Sequence, residues 1–143
     1  MERIVAATDG SESATRALGA AARLAKQLGA ELLIVTIGKD RLSADEIREA
    51  RHQGMSEGEA LEMLSDTVLA DARKRARELG SAHVEVLHCV GDAAEVLLDV
   101  AQGRHADMIV VGRRGRGRLA GLVLGSVSQK LASLSPCSVV IVP

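Results

Sequence analysis

Apolar positions along the 143-residue chain fall into two alternating rhythms. Arg3 to Thr8 (RIVAAT) is a short apolar run. Ser11 to Leu28 follows, with Leu18, Ala21, Ala25 and Leu28 three or four residues apart and Gly29 behind them. The first stretch predicts a strand and the second a helix that stops at its glycine. Glu31 to Ile37 (ELLIVTI) is apolar almost throughout, as expected of a central strand covered on both faces in a parallel sheet. Gly38 to Gly58 is polar and reads as an insertion, with a short helix around Asp45 to Arg51. From Glu59 to Leu79, apolar residues at 61, 64, 68, 72, 76 and 79 predict a long amphipathic helix with Gly80 at its C-cap. His83 to Val90 reads as a third strand. Asp92, with Glu95 three residues on, predicts the cap of a helix through Val96, Leu97, Val100 and Ala101. Asp107 to Val111 (DMIVV) is a fourth strand. A helix from about Gly125 to Leu134 and the Ser135-Pro136 break precede the last strand, Ser138 to Val142.

Counting the insertion apart, five strands alternate with four helices. That alternation predicts an α/β domain over residues 1–143: an open five-stranded parallel sheet with right-handed crossovers and helices on both faces. Ligands of such sheets bind beyond the carboxyl ends of the strands, where the strand order reverses.

Composition narrows the functions available. Phe, Tyr and Trp are all absent, so the core is aliphatic and there are no rings on which nucleic-acid bases could stack. No apolar run approaches the ~18 residues of a membrane span, and the opening MERIVAATDG is too short in apolar content for a secretory signal. A cytoplasmic protein that contacts neither nucleic acid nor membrane is expected. Cys89 and Cys137 stand far apart without CxxC or CxxH neighbours and read as two buried thiols. His52, His83, His88 and His105 show no metal-ligand spacing, so no protein metal site is expected.

The formal net charge is only -1, but it is unevenly spread. Residues 108–143 carry Arg113, Arg114, Arg116, Arg118 and Lys130 and no acidic side chain, so an anion is directed to this part of the chain. Here the fourth strand runs into GRRGRGRLAGLVLGS, residues 112–126, with glycines at 112, 115, 117, 121 and 125. Glycine lets backbone N–H groups approach an oxyanion without a Cβ in the way, and the following helix points its positive end at the same spot. A phosphate cradle is the functional reading, against a solubilising surface loop as the plain one. The GxxxxGK[ST] loop is absent. Gly115, Gly117 and Ala120 satisfy GxGxx[GA], but after the fourth strand and with no acidic residue beyond Asp107, so that match is accidental. The four loop arginines either clasp a phosphate chain or solvate the segment. Asp9, at the end of the first strand, either caps the next helix or recognises a ligand through ribose hydroxyls or Mg²⁺. Ser126 has no base near it in sequence, so no catalytic residue is assigned.

Gly112-x-x-Gly115, nine residues, then Gly125-Ser126 forms a G-2x-G-9x-G-[ST] signature. With ATDGSESA, GDAAEVLLDVA, ADMIVVGRRG and LGSVSQKL it resembles the ATP-binding universal stress proteins along nearly the whole chain. The resemblance implies an adenine nucleotide α-hydrolase-like, Rossmann-like fold with strand order 3-2-1-4-5, so that Asp9 and the Gly112 loop face one pocket. It implies ATP, with Mg²⁺ reached through Asp9, as the bound nucleotide. Ala7, Thr8 and Asp9 match the segment lining the adenine and ribose pocket, and Thr36 the position whose backbone contacts adenine. Gly112, Gly115, Gly125, Ser126 and Val127 match the residues around ribose and phosphates, with Arg113 beside them. Ala7 stands where some binders have proline. A nucleotide-dependent regulator of the stress response is thereby expected, with a slow ATPase and a nucleotide-free interaction module as the other readings. The resemblance also implies a homodimer, and Ser138 to Val142 is an apolar edge strand of the kind that invites a second copy.

Overall fold

The computed structural model describes residues 1–38, 41–113 and 124–143. Ten elements follow one another: β1 (Arg3–Ala7), α1 (Glu12–Leu28), β2 (Glu31–Ile37), α2 (Ala44–His52), α3 (Glu57–Glu78), β3 (Val84–Cys89), α4 (Ala93–Gly103), β4 (Met108–Gly112), α5 (Ser126–Leu134) and β5 (Ser138–Val142). All strand pairs are parallel, and the order is β3-β2-β1-β4-β5. The sheet therefore grows outward in both directions from β1, and the strand order reverses between β1 and β4.

The two faces of the central strands are covered by different helices. Ile4, Ala6, Leu32, Ile34 and Val110 pack under α1 and α3, whose contribution is largely alanine: Ala17, Ala21, Ala22 and Ala25 from α1, Ala72 and Ala76 from α3. Val5, Leu33, Val35, Ile109 and Val111 pack under Leu97 and Ala101 of α4 and Leu131 of α5. Alternate residues of each strand thus enter separate cores, the arrangement that forces a strand such as ELLIVTI to be apolar nearly throughout. Cys89 and Cys137 are half-buried, packed at the margin of the second core, a correction to the expectation of buried thiols. Both lie near the margin of the sheet, on edge strand β3 and at the entry to edge strand β5, where only one neighbouring strand shields them.

The insertion contains a fifth helix, α2, with a full capping box between Ser43 and Glu46. It buries Ala50 and, with Leu42 and Ala60, forms a small separate cluster against the start of α3. α3 begins two residues before the predicted Glu59, because the Ser56 hydroxyl accepts the Glu59 amide and fixes the first turn.

A polar clasp ties four strands together at the amino-terminal edge of the sheet. Asp107 Oδ2 accepts the amides of Glu2 (2.7 Å) and Arg3 (3.0 Å), which hold its carboxyl below the usual carboxylate range. Arg3 donates to Glu31 Oε2 through Nε (3.0 Å) and Nη2 (2.7 Å), and through Nη1 to the Arg104 carbonyl. That hydrogen bond lowers the Glu31 pKa and raises that of Arg3. Arg104 in turn reaches both carboxylate oxygens of Glu85, at 2.9 and 3.1 Å. Among the described residues, no helix is long and apolar enough to cross a membrane.

Candidate functional site

Register brings the ends of the strands into one row. Ala7 pairs with Val35, Ala6 with Val110, Thr36 with His88 and Gly112 with Val142. One residue beyond β1, Thr8 therefore stands level with Thr36 on one side and Gly112 on the other. The Thr8 amide continues the ladder by donating to the Val35 carbonyl at 2.9 Å. Thr8 and Thr36 are both buried, while Ala7, Asp9 and Gly112 are half-buried.

The turn after β1 is held by its own side chains. Gly10, at φ +81°, donates its amide to Thr8 Oγ1 at 3.2 Å, and the Ser11 amide donates to Asp9 Oδ1 at 2.9 Å. Ser11, not Asp9, is the N-cap of α1, its hydroxyl accepting the Ala14 amide at 3.2 Å. Of the two roles open to Asp9 from sequence, helix capping is thus taken by Ser11, and Asp9 closes the turn one step earlier. Val68 of α3 comes alongside, 3.4 Å from where a Cβ on Gly10 would stand.

The end of β4 and the start of α5 meet at a single carbonyl. Arg113 donates its amide to Val142 (2.7 Å), extending the pairing with β5. Its carbonyl accepts both the Gly125 amide (2.9 Å) and the Ser128 hydroxyl (3.1 Å), and the same hydroxyl reaches the Gly112 carbonyl at 2.9 Å. The start of α5 is thereby fastened to the end of β4. Gly125 is its N-cap and supplies no side-chain hydrogen bond, in contrast to the caps of α1, α2, α3 and α4. Among the described residues no side chain caps the first amides of α5, and the positive end of the helix lies behind them. Ser126 is exposed at this end, and Val127 turns its side chain toward the second core. Gly115, like Arg114, Arg116 and Arg118, lies outside the described residues.

Two serines that sequence reading passed over help to build this end. Ser128 is buried at a position where helical periodicity calls for an apolar residue, and that mismatch was the available signal. Ser13 Oγ is buried against Gly112, without a hydrogen-bond partner among the described residues. A Cβ on Gly112 would stand 2.3 Å from that oxygen and 3.0 Å from the Ser13 backbone, so this glycine is required for the approach of α1 to β4. Farther along the same edge, the Gly38 amide donates to the Cys89 carbonyl at 3.0 Å, and burial pushes the Cys89 thiol pKa up.

The sequence profile of the Universal stress protein family matches residues 1–143. This chain belongs to the universal stress protein family. Universal stress protein YxiE of Bacillus subtilis (strain 168) is 33% identical, with 98% of this chain and 97% of the relative covered. A universal stress protein crystallised in complex with cAMP superposes with a TM-score of 0.72 at 30% identity, covering 99% of this chain and 95% of the other. The universal stress protein of Archaeoglobus fulgidus in complex with dAMP shares the fold, with a TM-score of 0.66 at 24% identity over 100% of this chain and 98% of that one. The strand order found here is the one that the sequence resemblance implied.

Proposed function

We propose that this chain binds an adenine nucleotide, ATP with Mg²⁺, across the carboxyl ends of β1 and β4, and acts as a nucleotide-dependent regulator in the stress response of the cytoplasm. The observation that carries this reading is the double use of the Arg113 carbonyl, which sets an uncapped helix start directly beside the point where the strand order reverses. A phosphate chain fits there: backbone amides supply donors, and Ser126 adds a hydroxyl. Arg113 belongs to the same cradle, to which the glycine signature of the sequence assigns Gly115, with Gly125 and Val127 shaping the helix start. Ala7, Thr8 and Thr36 line the adenine and ribose side, and Asp9 faces the ribose or the metal of the Mg²⁺ complex. The cAMP-bound relative, at 30% identity, supports an adenine ligand. The nucleotide works here as a ligand that orders the two turns, and β5, an edge strand with apolar residues at 139–142, joins two copies in a homodimer.

Isothermal titration with ATP and Mg²⁺ tests the reading, with a site of about 10 μM expected, or roughly -7 kcal/mol. Gly115→Val should abolish the heat by placing methyl groups against the phosphate. Unchanged affinity in that variant would remove the cradle. Turnover of labelled ATP that disappears in an Asp9→Ala variant would make the chain a slow ATPase instead.

A further inference from the structure

One flank of α3, beside the buried stripe Ser65, Leu69, Ala72 and Ala76, carries its charges in two blocks, Glu59, Glu62 and Asp66 in the first half and Arg73 and Arg77 in the second. At about 100° per residue these five side chains fall within roughly 60° of one another, with Ala70 between the blocks, while Lys74, Asp71, Arg75 and Glu78 lie farther round the helix. Within this flank there is no acid-to-base pair at four-residue spacing. The flank stacks like charges instead, Glu62 on Asp66 and Arg73 on Arg77. Lys74 meets Glu78 at 4.0 Å, whereas Glu62, Asp66, Arg73 and Arg77 have no ion-pair partner among the described residues. The half-buried Arg73 also leaves Nε without an acceptor. On the acidic half, an open recess of about 440 Å³ is lined by Glu59, Glu62, Met63, Asp66, Thr67 and Ala70.

We propose that this face of α3 docks an antiparallel second copy of itself about a two-fold axis. With the axis level with residue 68, Glu59 stands opposite Arg77 of the second copy and Glu62 beside its Arg73. The recess on each copy then receives the long cationic side chains of the other. Ala70 falls beside the axis, where a small side chain lets the helices approach closely, and the 53% exposed Met63 is covered by the stem of Arg73 from the second copy. One patch supplies both signs, which is the requirement of an isologous contact. The surface is separate from the β5 edge, because α3 lies over β2 and β3 at the opposite side of the sheet. Both contacts can therefore exist in one assembly.

Sedimentation equilibrium of the full chain at about 0.1 M and about 1 M NaCl reads this contact, since screening shortens from roughly 10 to 3 Å over that range. Association through α3 should weaken at high salt. Glu59→Lys with Glu62→Lys, and separately Arg73→Glu with Arg77→Glu, should each weaken it at least tenfold. An equimolar mixture of the two double variants should restore it, as should the quadruple variant, whose charge pattern is again self-complementary. Circular dichroism establishes that each variant is folded. Association that is unchanged by both reversals belongs to another edge of the molecule and overturns the proposal, as does a mixture that fails to reassociate or a wild-type chain that shows no salt-dependent self-association.

Discussion

The two ends of the sheet handle polar groups in opposite ways. At the amino-terminal edge, charges are satisfied by charges and amides of the same chain: Asp107 takes two amides, Arg3 bridges Glu31 and the Arg104 carbonyl, and Arg104 grips Glu85. At the carboxyl edge, closure is achieved with hydroxyls, backbone carbonyls and a glycine packed against a serine, and one helix starts without a side-chain cap. The first end spends its hydrogen bonds on holding strands together. The second uses few charged side chains for that purpose. Asp107 and Asp9 make the contrast sharp, since each is a carboxylate beside a strand end that accepts backbone N–H groups.

The largest disturbance should come from Gly112→Val. The new side chain collides with Ser13, and overpacking of this kind costs about 1–3 kcal/mol. Thermal unfolding should register that loss and nucleotide titration a parallel loss of affinity. Ser13→Gly in the same chain should recover part of both, because it removes the oxygen that the Cβ strikes.

Next in size, Asp9→Asn keeps an acceptor for the Ser11 amide while removing the charge. Nucleotide affinity should fall about tenfold, equivalent to 1.4 kcal/mol, with little change in melting temperature. Asp107→Asn should do the reverse, lowering the melting temperature and leaving titration with nucleotide unchanged. If the two variants exchanged these effects, the division of labour between the ends would be wrong.

The smallest effect concerns pH. Asp107 and Glu31 both have lowered pKa values in the folded chain. The unfolded chain then binds protons more readily, so the stabilisation is complete above the unfolded carboxylate range of about 4 and is lost as pH falls through the native values. Melting curves between about pH 7 and 3 should show an acid limb, shallower in Asp107→Asn and in Glu31→Gln. Glu31 is exposed and Asp107 only half-buried, so the limb should be modest and should shrink further in high salt.

Much of the architecture was legible because it is written in period. ELLIVTI and DMIVV are apolar almost throughout, and Leu18, Ala21 and Ala25 repeat at helical spacing, so strands and helices announced themselves and their alternation implied a parallel sheet. α2 was only partly legible. It buries Ala50 alone, so its periodicity is faint, and the Ser43-x-x-Glu46 box is the stronger sign. The candidate site divides the same way. Glycine spacing directed attention to residues 112–126, but spacing along the chain says nothing about contacts across it. Ser13 meets Gly112 only because α1 returns over β4, and Ser128 reaches two carbonyls only because α5 starts where β4 ends. Asp9 looked like a helix cap since it precedes α1 closely, and the Gly10 turn shifts that task to Ser11.

The Arg113 carbonyl, which receives both the Gly125 amide and the Ser128 hydroxyl, also makes a natural splice point. The residues on either side of positions 114–124 are thereby joined at one atom. Doubling the length of a flexible connection raises its closure entropy by only about 0.6 kcal/mol. Relatives or engineered versions can therefore exchange that stretch for another of different length and chemistry, altering what is recognised while β4, α5 and the cores beneath them keep their places.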